Sequence, residues 1–442
     1  MRKILKKTVL VSLAVLTLVF TWWILAYHTA LQNNSYRSAR QGLLDLRNWD
    51  FEEQGLHPLK GEWLFIPSVF AVPDVFSRFN ESFLLRSETL TVPGFWNLQN
   101  SRFPAESYGT LVLRVQLPED MEDFGLYLEE ISSAYTLYID GQQVIRNGIV
   151  GTSARTSRAN SIPRIWSGSR DTEEITLLLH ISNYQASRGG LSRAPLIGPP
   201  SRIFQRHSGE VALDLFLFGS ILMMALYHFG ISLFRSADRS SFYFALFCTA
   251  IALRGILTGS RFLQGTLPCL GFQTSTSMEL ICAYTAAYFY YQYHSLRFPA
   301  ESWRPFLYFS RVLLSFMTIS AIVMPIRQHA DLFFLFEVYL IGEIIIIMGG
   351  LVLAVFRRRN EAPVYITGFT ILCMAVLHDL LFYNRVAGDG YLLHYGLWIF
   401  VLLHSILLAR QFVSLEKKAR SYADSLEKLT SDLEQRIGQN LD

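Results

Sequence analysis

Hydrophobic positions fall into two regimes along this chain. From about residue 30 to residue 207 they come in short alternating groups, and beyond residue 208 they come in long runs broken only by loops carrying Arg, Pro or Gly. The long runs predict seven membrane spans: Leu213 to Phe234, Phe242 to Leu257, Met278 to Tyr293, Phe306 to Met324, Leu332 to Phe356, Val364 to Tyr383 and Tyr391 to Ala409. Each approaches the roughly 20 apolar residues that a helix needs to cross a bilayer. A further run, Val9 to Tyr27, follows Arg2, Lys3, Lys6 and Lys7 and ends in Trp22, Trp23 and Tyr27, the composition of an interfacial aromatic belt. It reads as an uncleaved anchor. A cleaved signal peptide is the competing reading, disfavoured by the length of the run and by the lack of a well-placed small-x-small pair near Ala26 or Ala30.

Basic residues orient the spans, because Arg-rich loops stay cytoplasmic. With the anchor entering from inside, Arg235, Arg239, Arg297, Arg304, Arg357, Arg358 and Arg359 fall on the inner side, against Arg261, Arg327 and Arg385 outside. Both chain ends are then cytoplasmic, and residues from about 30 to 207 lie outside.

In that outer stretch Gly109 to Leu117 alternates, Gly125 to Ile131 and Ala134 to Ile139 are rich in β-formers, Glu174 to Ile181 is another apolar run, and Gly61 to Pro67 contains Trp63 and Phe65. Asp140-Gly141 between two of them is a hairpin turn, since Gly supplies the positive φ that a tight reversal needs. Short strands with such turns predict an all-β sandwich of jelly-roll type. The expected domains are an anchor over 1–29, the sandwich over 30–207, a seven-helix bundle over 208–410 and a cytoplasmic helix over 411–442. In that last segment Phe412, Leu415, Ala419, Tyr422, Leu426, Leu429, Leu433 and Ile437 alternate spacings of three and four. This is a heptad seam, predicting a parallel coiled-coil homodimer; a single amphipathic helix lying on the membrane is the alternative.

Composition agrees with a membrane protein: 51% hydrophobic, 17% charged. A net charge of +3 without a polybasic run gives no reason to expect nucleic acid as a partner. The four cysteines, Cys248, Cys269, Cys282 and Cys373, form neither a disulfide framework nor a zinc-ligand spacing, and no metal or cofactor is expected.

Candidate chemistry comes in two groups. In the sandwich, Trp96, Asn97, Asn147, Trp166, Asn183, Tyr184 and Arg188, with Gly189-Gly190, offer aromatic faces and polar donors suited to a sugar or another polar ligand. Core or rim packing is the plainer reading for Trp96, and a backbone turn for the two glycines. In the spans, Asp214, Arg254, Glu279, Glu337, Glu343, His378, Asp379, His394 and His404 are ionisable, and such groups are costly in lipid unless they face the bundle interior. Arg254 with Glu279 or Glu343 would make an interior pair that accompanies a shift between two packings. His378-Asp379 reads as a structural polar contact, because adjacent residues on a helix do not face one another.

Several segments resemble the bacterial seven-transmembrane receptors with diverse intracellular signalling modules, the 7TMR-DISM family. "LKGEWLFIP" from Leu59, "VPGFWN" from Val92, "SSAYTLYIDGQQVIRNGIVG" from Ser132 and "ISNYQASRGGL" from Ile181 are similar to its galactose-binding-like jelly roll. "LYHFGISLFRSADRSSFYFALFCTAIALRG" from Leu226 and "LHDLLFYNRV" from Leu377 resemble its spans, and the tail after Leu407 resembles its signalling helix. The resemblance implies a receptor in the bacterial inner membrane that senses an outside ligand such as a carbohydrate. It implies transmission through the bundle to the coiled coil and on to a separate kinase or cyclase, with no catalytic domain of its own. The sensory part of a longer histidine kinase or nucleotide cyclase is one alternative. A membrane enzyme acting on glycans through His378, Asp379 and His394 is another, and a transporter a third, but neither converging acid and base groups nor an inverted repeat is found.

Overall fold

The computed structural model describes residues 36–72, 87–170, 172–234, 239–267, 269–359, 361–383 and 392–441. The expected anchor, Val9 to Tyr27, lies outside the described residues. In chain order the strands are β1 (Leu43–Asp45), β2 (His57–Pro58), β3 (Gly61–Pro67), β4 (Glu88–Val92), β5 (Gly94–Phe95), β6 (Ser107–Gln116), β7 (Asp123–Leu128), β8 (Ala134–Ile139), β9 (Gln142–Asn147), β10 (Arg164–Ser169), β11 (Glu174–Asn183), β12 (Gly190–Leu191) and β13 (Leu196–Gly198). The helices are α1 (Trp96–Gln99), α2 (Pro200–Phe234), α3 (Arg239–Leu257), α4 (Phe262–Thr266), α5 (Phe272–Arg297), α6 (Arg304–Val323), α7 (His329–Phe356), α8 (Ala362–Tyr383) and α9 (Leu393–Leu441).

The strands form a sandwich. One sheet runs β4-β3-β6-β11-β8-β9, with β1 added parallel to β6, and the facing sheet runs β10-β7-β13-β2. Alternate residues point inward, so Leu111, Leu113 and Val115 of β6 and Leu177, Leu179 and Ile181 of β11 meet Phe124, Leu126 and Leu128 of β7. The other face of β6 and β11 is also apolar, because Val112 and Leu178 pack with Leu64, Ile66 and Ala71 in a second, smaller core. The irregular segment after β3 that carries Ala71 is pinned by polar groups: the Ala71 amide donates to Thr110 Oγ1 at 3.0 Å, and His180 Nε2 meets Ala71 O at 2.8 Å. The Asp140-Gly141 hairpin turn has both residues at positive φ, 47° and 88°, joining β8 to β9.

Helix α2 begins at Pro200, well ahead of the apolar run at Leu213, because proline suits a first helical turn and Ile203 has a buried seat against Gly125. At 35 residues it is about 52 Å long, more than a bilayer's hydrocarbon core needs. Its first turns lie on β7, β10 and β13. Five helices among the described residues are long and apolar enough to cross a membrane: Pro200–Phe234, Arg239–Leu257, Arg304–Val323, Leu332–Phe356 and Ala362–Leu381. The expected span Met278 to Tyr293 lies in α5, a continuous helix below that hydropathy because it is rich in Tyr, Ser and Thr. Its rings are used inside the bundle: Tyr290 meets Phe247 of α3 at 5.1 Å and Tyr284 meets Phe336 of α7 at 4.8 Å. A helix shielded by its neighbours can be polar at little cost. The seventh expected span falls in α9, whose apolar part Tyr395–Ile406 is shorter.

The described chain divides into two compact units. One contains the sandwich, α2 to α6 and α7 as far as Glu343; the other contains Phe298–Ser302, the rest of α7, α8 and α9.

Candidate coupling site where the sandwich meets the helices

The connection from α3 to α4 is a tight turn. Gly259 takes a φ of 64°, and the Ser260 amide donates to the Asp214 carboxylate of α2 at 3.0 Å, so the flagged Asp214 fixes this loop to a neighbouring helix. Arg261 follows in the left-handed region at φ 51°, opening α4. A side-chain-bearing residue there costs on the order of 1 kcal/mol or more, and its surroundings must hold it.

The side chain explains what holds it. Arg261 is only 3% exposed, and its guanidinium pairs with Glu130, from the β7–β8 connection of the sandwich, and with Glu279 of α5 at 3.5 Å. Arg254 of α3 reaches the other oxygen of Glu279 at 3.6 Å. Two guanidinium and two carboxylate groups thus balance around the buried Arg261, the other three side chains staying 20 to 31% exposed, and removing one member leaves an uncompensated charge. Gln264 of α4 extends the contact, donating to Asn160 Oδ1 at 3.1 Å and accepting from Ser161 Oγ at 3.3 Å. The sandwich braces its own side: Ser192 Oγ donates to Glu130 O at 2.9 Å, and Arg193 pairs with Glu129.

Two more links join the same layers. Tyr127 of β7 donates its hydroxyl to Glu210 of α2 at 2.6 Å, and Arg206 one turn earlier donates to the other Glu210 oxygen at 2.6 Å. Burial first, and the Glu210 charge second, raise the Tyr127 phenol above its ordinary pKa and keep it a donor. Arg327, in the turn before α7, pairs with Glu106 of the sandwich.

The seven residues expected to bind ligand fall into separate places. Trp96 is fully buried, stacked on Phe65 at 5.7 Å, with its indole donating to Pro104 O at 2.9 Å. Beside it, Asn97 Oδ1 accepts from the Gly189 amide at 3.1 Å, and Arg188 lies over the Phe95 ring at 5.8 Å. Asn183 donates to Ala105 O and Ala186 O at 2.9 and 2.8 Å, completing one corner of the fold. Tyr184 donates to Thr152 O at 2.6 Å. Asn147 sits elsewhere, holding the loop that carries Asn160 and Ser161 by donating to Ile162 O at 3.0 Å. Trp166 packs on Phe124 at 5.2 Å.

The intramembrane candidates also separate. Arg254 pairs with Glu279, whereas Glu343 is buried near Tyr339 and Tyr291, with Tyr339 hydroxyl 2.5 Å from Ser310 Oγ. His378 and Asp379 make a local polar contact, Nδ1 to Oδ1 at 3.3 Å. The same Asp379 Oδ1 accepts the Leu392 amide at 2.7 Å and Oδ2 accepts the Leu393 amide at 3.1 Å, so the carboxylate caps the start of α9. His404 lies between the rings of Tyr365 and Phe400, and the side chain of His394 is outside those described. Along α9, Tyr422, Leu426 and Leu429 are exposed, at 71%, 64% and 58%; the Leu415 and Leu433 side chains are outside those described. Sequence reasoning missed Glu130 and Gln264 and read Arg261 only as a loop charge. The usable signal was the polar face of α5, where Ser275, Thr276 and Glu279 recur at helical spacing.

Among the described residues no group of three or more His, Cys, Asp or Glu side chains is placed to hold a metal ion. No curated protein matches the chain. Solved structures that resemble part of it include β-glucuronidase from Ruminococcus gnavus in complex with uronic isofagomine, at 13% identity over 32% of this chain and 28% of that one, TM-score 0.24. Others are the GH2 β-galacturonidase from Eisenbergiella tayi bound to galacturonate, at 14%, 33%, 24% and 0.21, and Faecalibacterium prausnitzii β-glucuronidase, at 12%, 32%, 30% and 0.25. The chain spans less than a third of the length of these enzymes, and scores this low bear on neither site nor activity. Residues 210–411, which run from the first turns of α2 into α9, match the family model described as 7TM diverse intracellular signalling, 7TMR-DISM_7TM.

Proposed function

We propose that the protein is a sensory receptor of the bacterial inner membrane, with the jelly-roll-type sandwich outside and the end of α9 in the cytoplasm. Its role is non-enzymatic, in keeping with the signalling family matched by its helices. The observation that carries the reading is Arg261: one buried guanidinium, in a left-handed backbone, paired at once with a sandwich carboxylate and a helix carboxylate. A ligand that prefers one arrangement of the sandwich loops acts on that group, and its differential affinity is all that is available to move the helices. A polar ligand such as a carbohydrate fits the sandwich rim, where Asn97, Trp166, Tyr184 and Arg188 keep part of their surface exposed. On the far side α9 carries the exposed stripe Tyr422, Leu426 and Leu429, which a second copy covers as a coiled coil, presenting the signal to a separate kinase or cyclase.

The test uses the full-length chain in lipid nanodiscs and a panel of mono- and disaccharides. A binding sugar is expected to change amide hydrogen exchange over residues 410–430, and Arg261→Met is expected to abolish that change while leaving sugar binding within about twofold. If no sugar on the panel binds, the carbohydrate class is wrong. If a bound sugar acts on α9 equally well in Arg261→Met, the coupling role is wrong.

A further inference from the structure

The segment that joins α5 to α6, Phe298–Ser302, belongs to the same compact unit as Ile344–Asp442. Its contacts are specific. The Glu301 side chain is fully buried, 0% exposed, and its Oε1 accepts from Arg357 Nη1 at 3.1 Å and Arg359 Nε at 3.4 Å. Arg357 also donates to Ala300 O at 3.1 Å. Both arginines lie in the turn that ends α7, where Arg358 takes a φ of 59° and the Arg359 amide returns to Ala354 O at 3.0 Å. A carboxylate sealed from water beneath two cations holds its segment firmly, since withdrawing it would separate paired charges.

A row of rings starts from the same segment. Phe298 sits edge-on to Tyr365 of α8 at 5.2 Å, Tyr365 edge-on to His404 of α9 at 4.7 Å, and His404 lies 4.4 Å from Phe400 one turn earlier. Phe298 is the residue directly after α5, and α5 bears Glu279 of the coupling site in its first half. His404 is on the helix that continues as the exposed stripe. A rigid helix of 26 residues, about 39 Å long, therefore carries the Arg261 pairing near one end and a clamped segment touching α8, and through it α9, at the other.

We propose that Phe298–Ser302 is a latch that hands displacement of α5 to α9, with Glu301 as the charge clamp and Phe298, Tyr365 and His404 as the packed contact. The latch rests on the receptor reading, and α5 is then the transmitting helix. Coupling carried by one route is non-additive: once the latch is open, changes at the coupling site no longer reach α9.

Four full-length proteins in nanodiscs test this: the parent, Glu279→Gln, the latch variant Phe298→Leu with Glu301→Gln, and all three substitutions together. Hydrogen exchange is read over residues 410–430, with residues 107–183 reporting that the sandwich remains folded. Phe298→Leu alone serves where the double change fails to fold. In the parent background Glu279→Gln is expected to shift exchange in 410–430 by about fivefold or more, the lower end of ordinary allosteric coupling. In the latch background the same substitution is expected to shift it less than about twofold. An undiminished shift with the latch open overturns the latch and leaves the receptor reading standing. No shift in the parent overturns both.

Discussion

The corner around Trp96 and the site around Arg261 are both built from buried polar groups, yet they differ in where the partners come from. Asn183, Asn97 and the Trp96 indole spend their hydrogen bonds on nearby backbone of the sandwich itself. Arg261 spends its charge on Glu130 in the sandwich and Glu279 in α5, two different layers of one compact unit. The first arrangement fixes one layer; the second ties two layers to one side chain.

The comparison can be broken experimentally. Trp96→Ala removes a fully buried indole and is expected to cost about 4 kcal/mol in denaturant unfolding followed by the sandwich's tryptophan fluorescence. Because its partners are local, exchange in α9 should stay unchanged under native conditions; a change there would erase the distinction. Arg261→Met leaves two carboxylates, Glu130 and Glu279, with the single Arg254 guanidinium between them, and is expected to cost about 3 kcal/mol. Adding Glu130→Gln to it leaves Glu279 paired with Arg254 and restores the charge balance, so it should recover most of that loss, whereas simple packing damage would not be recovered.

A smaller effect sharpens the sandwich side of the comparison. His57 is fully buried, boxed by Trp49 at 4.6 Å and Tyr36 at 5.4 Å, and burial, with Lys60 adding to it, lowers its pKa to about 4. Below an ordinary imidazole value near 6.5 the unfolded chain takes up a proton that the folded chain refuses, so stability falls as pH drops and the loss is complete near pH 4. The full loss is up to about 3 kcal/mol, with only a fraction of it present at pH 6. His57→Phe should flatten this part of the stability–pH curve; an unaltered curve would place the titration elsewhere.

Much of the fold was readable from local pattern. Their β-rich, aromatic composition marked Gly61–Pro67 and Ala134–Ile139 residue for residue, and Asp140-Gly141 announced the turn between β8 and β9. Helices longer than their apolar runs, such as α2 from Pro200, were missed because hydropathy reports contact with lipid or core and not helical continuity. The site was only half readable. Arg254 and Glu279 stood out because charge in a span is costly, but Glu130 lies 131 residues from Arg261, and no local spacing joins them. Asp379 shows the same limit, since its partners at Leu392 and Leu393 belong to the next helix.

The most direct measurement is hydrogen exchange in the full-length chain in nanodiscs, comparing the parent with Glu130→Gln. If Arg261 ties the sandwich to the helices, removing the sandwich carboxylate changes exchange around Glu130 and in residues 258–283, and extends to α9 over 410–430. A change confined to the sandwich around Glu130 would contradict the account.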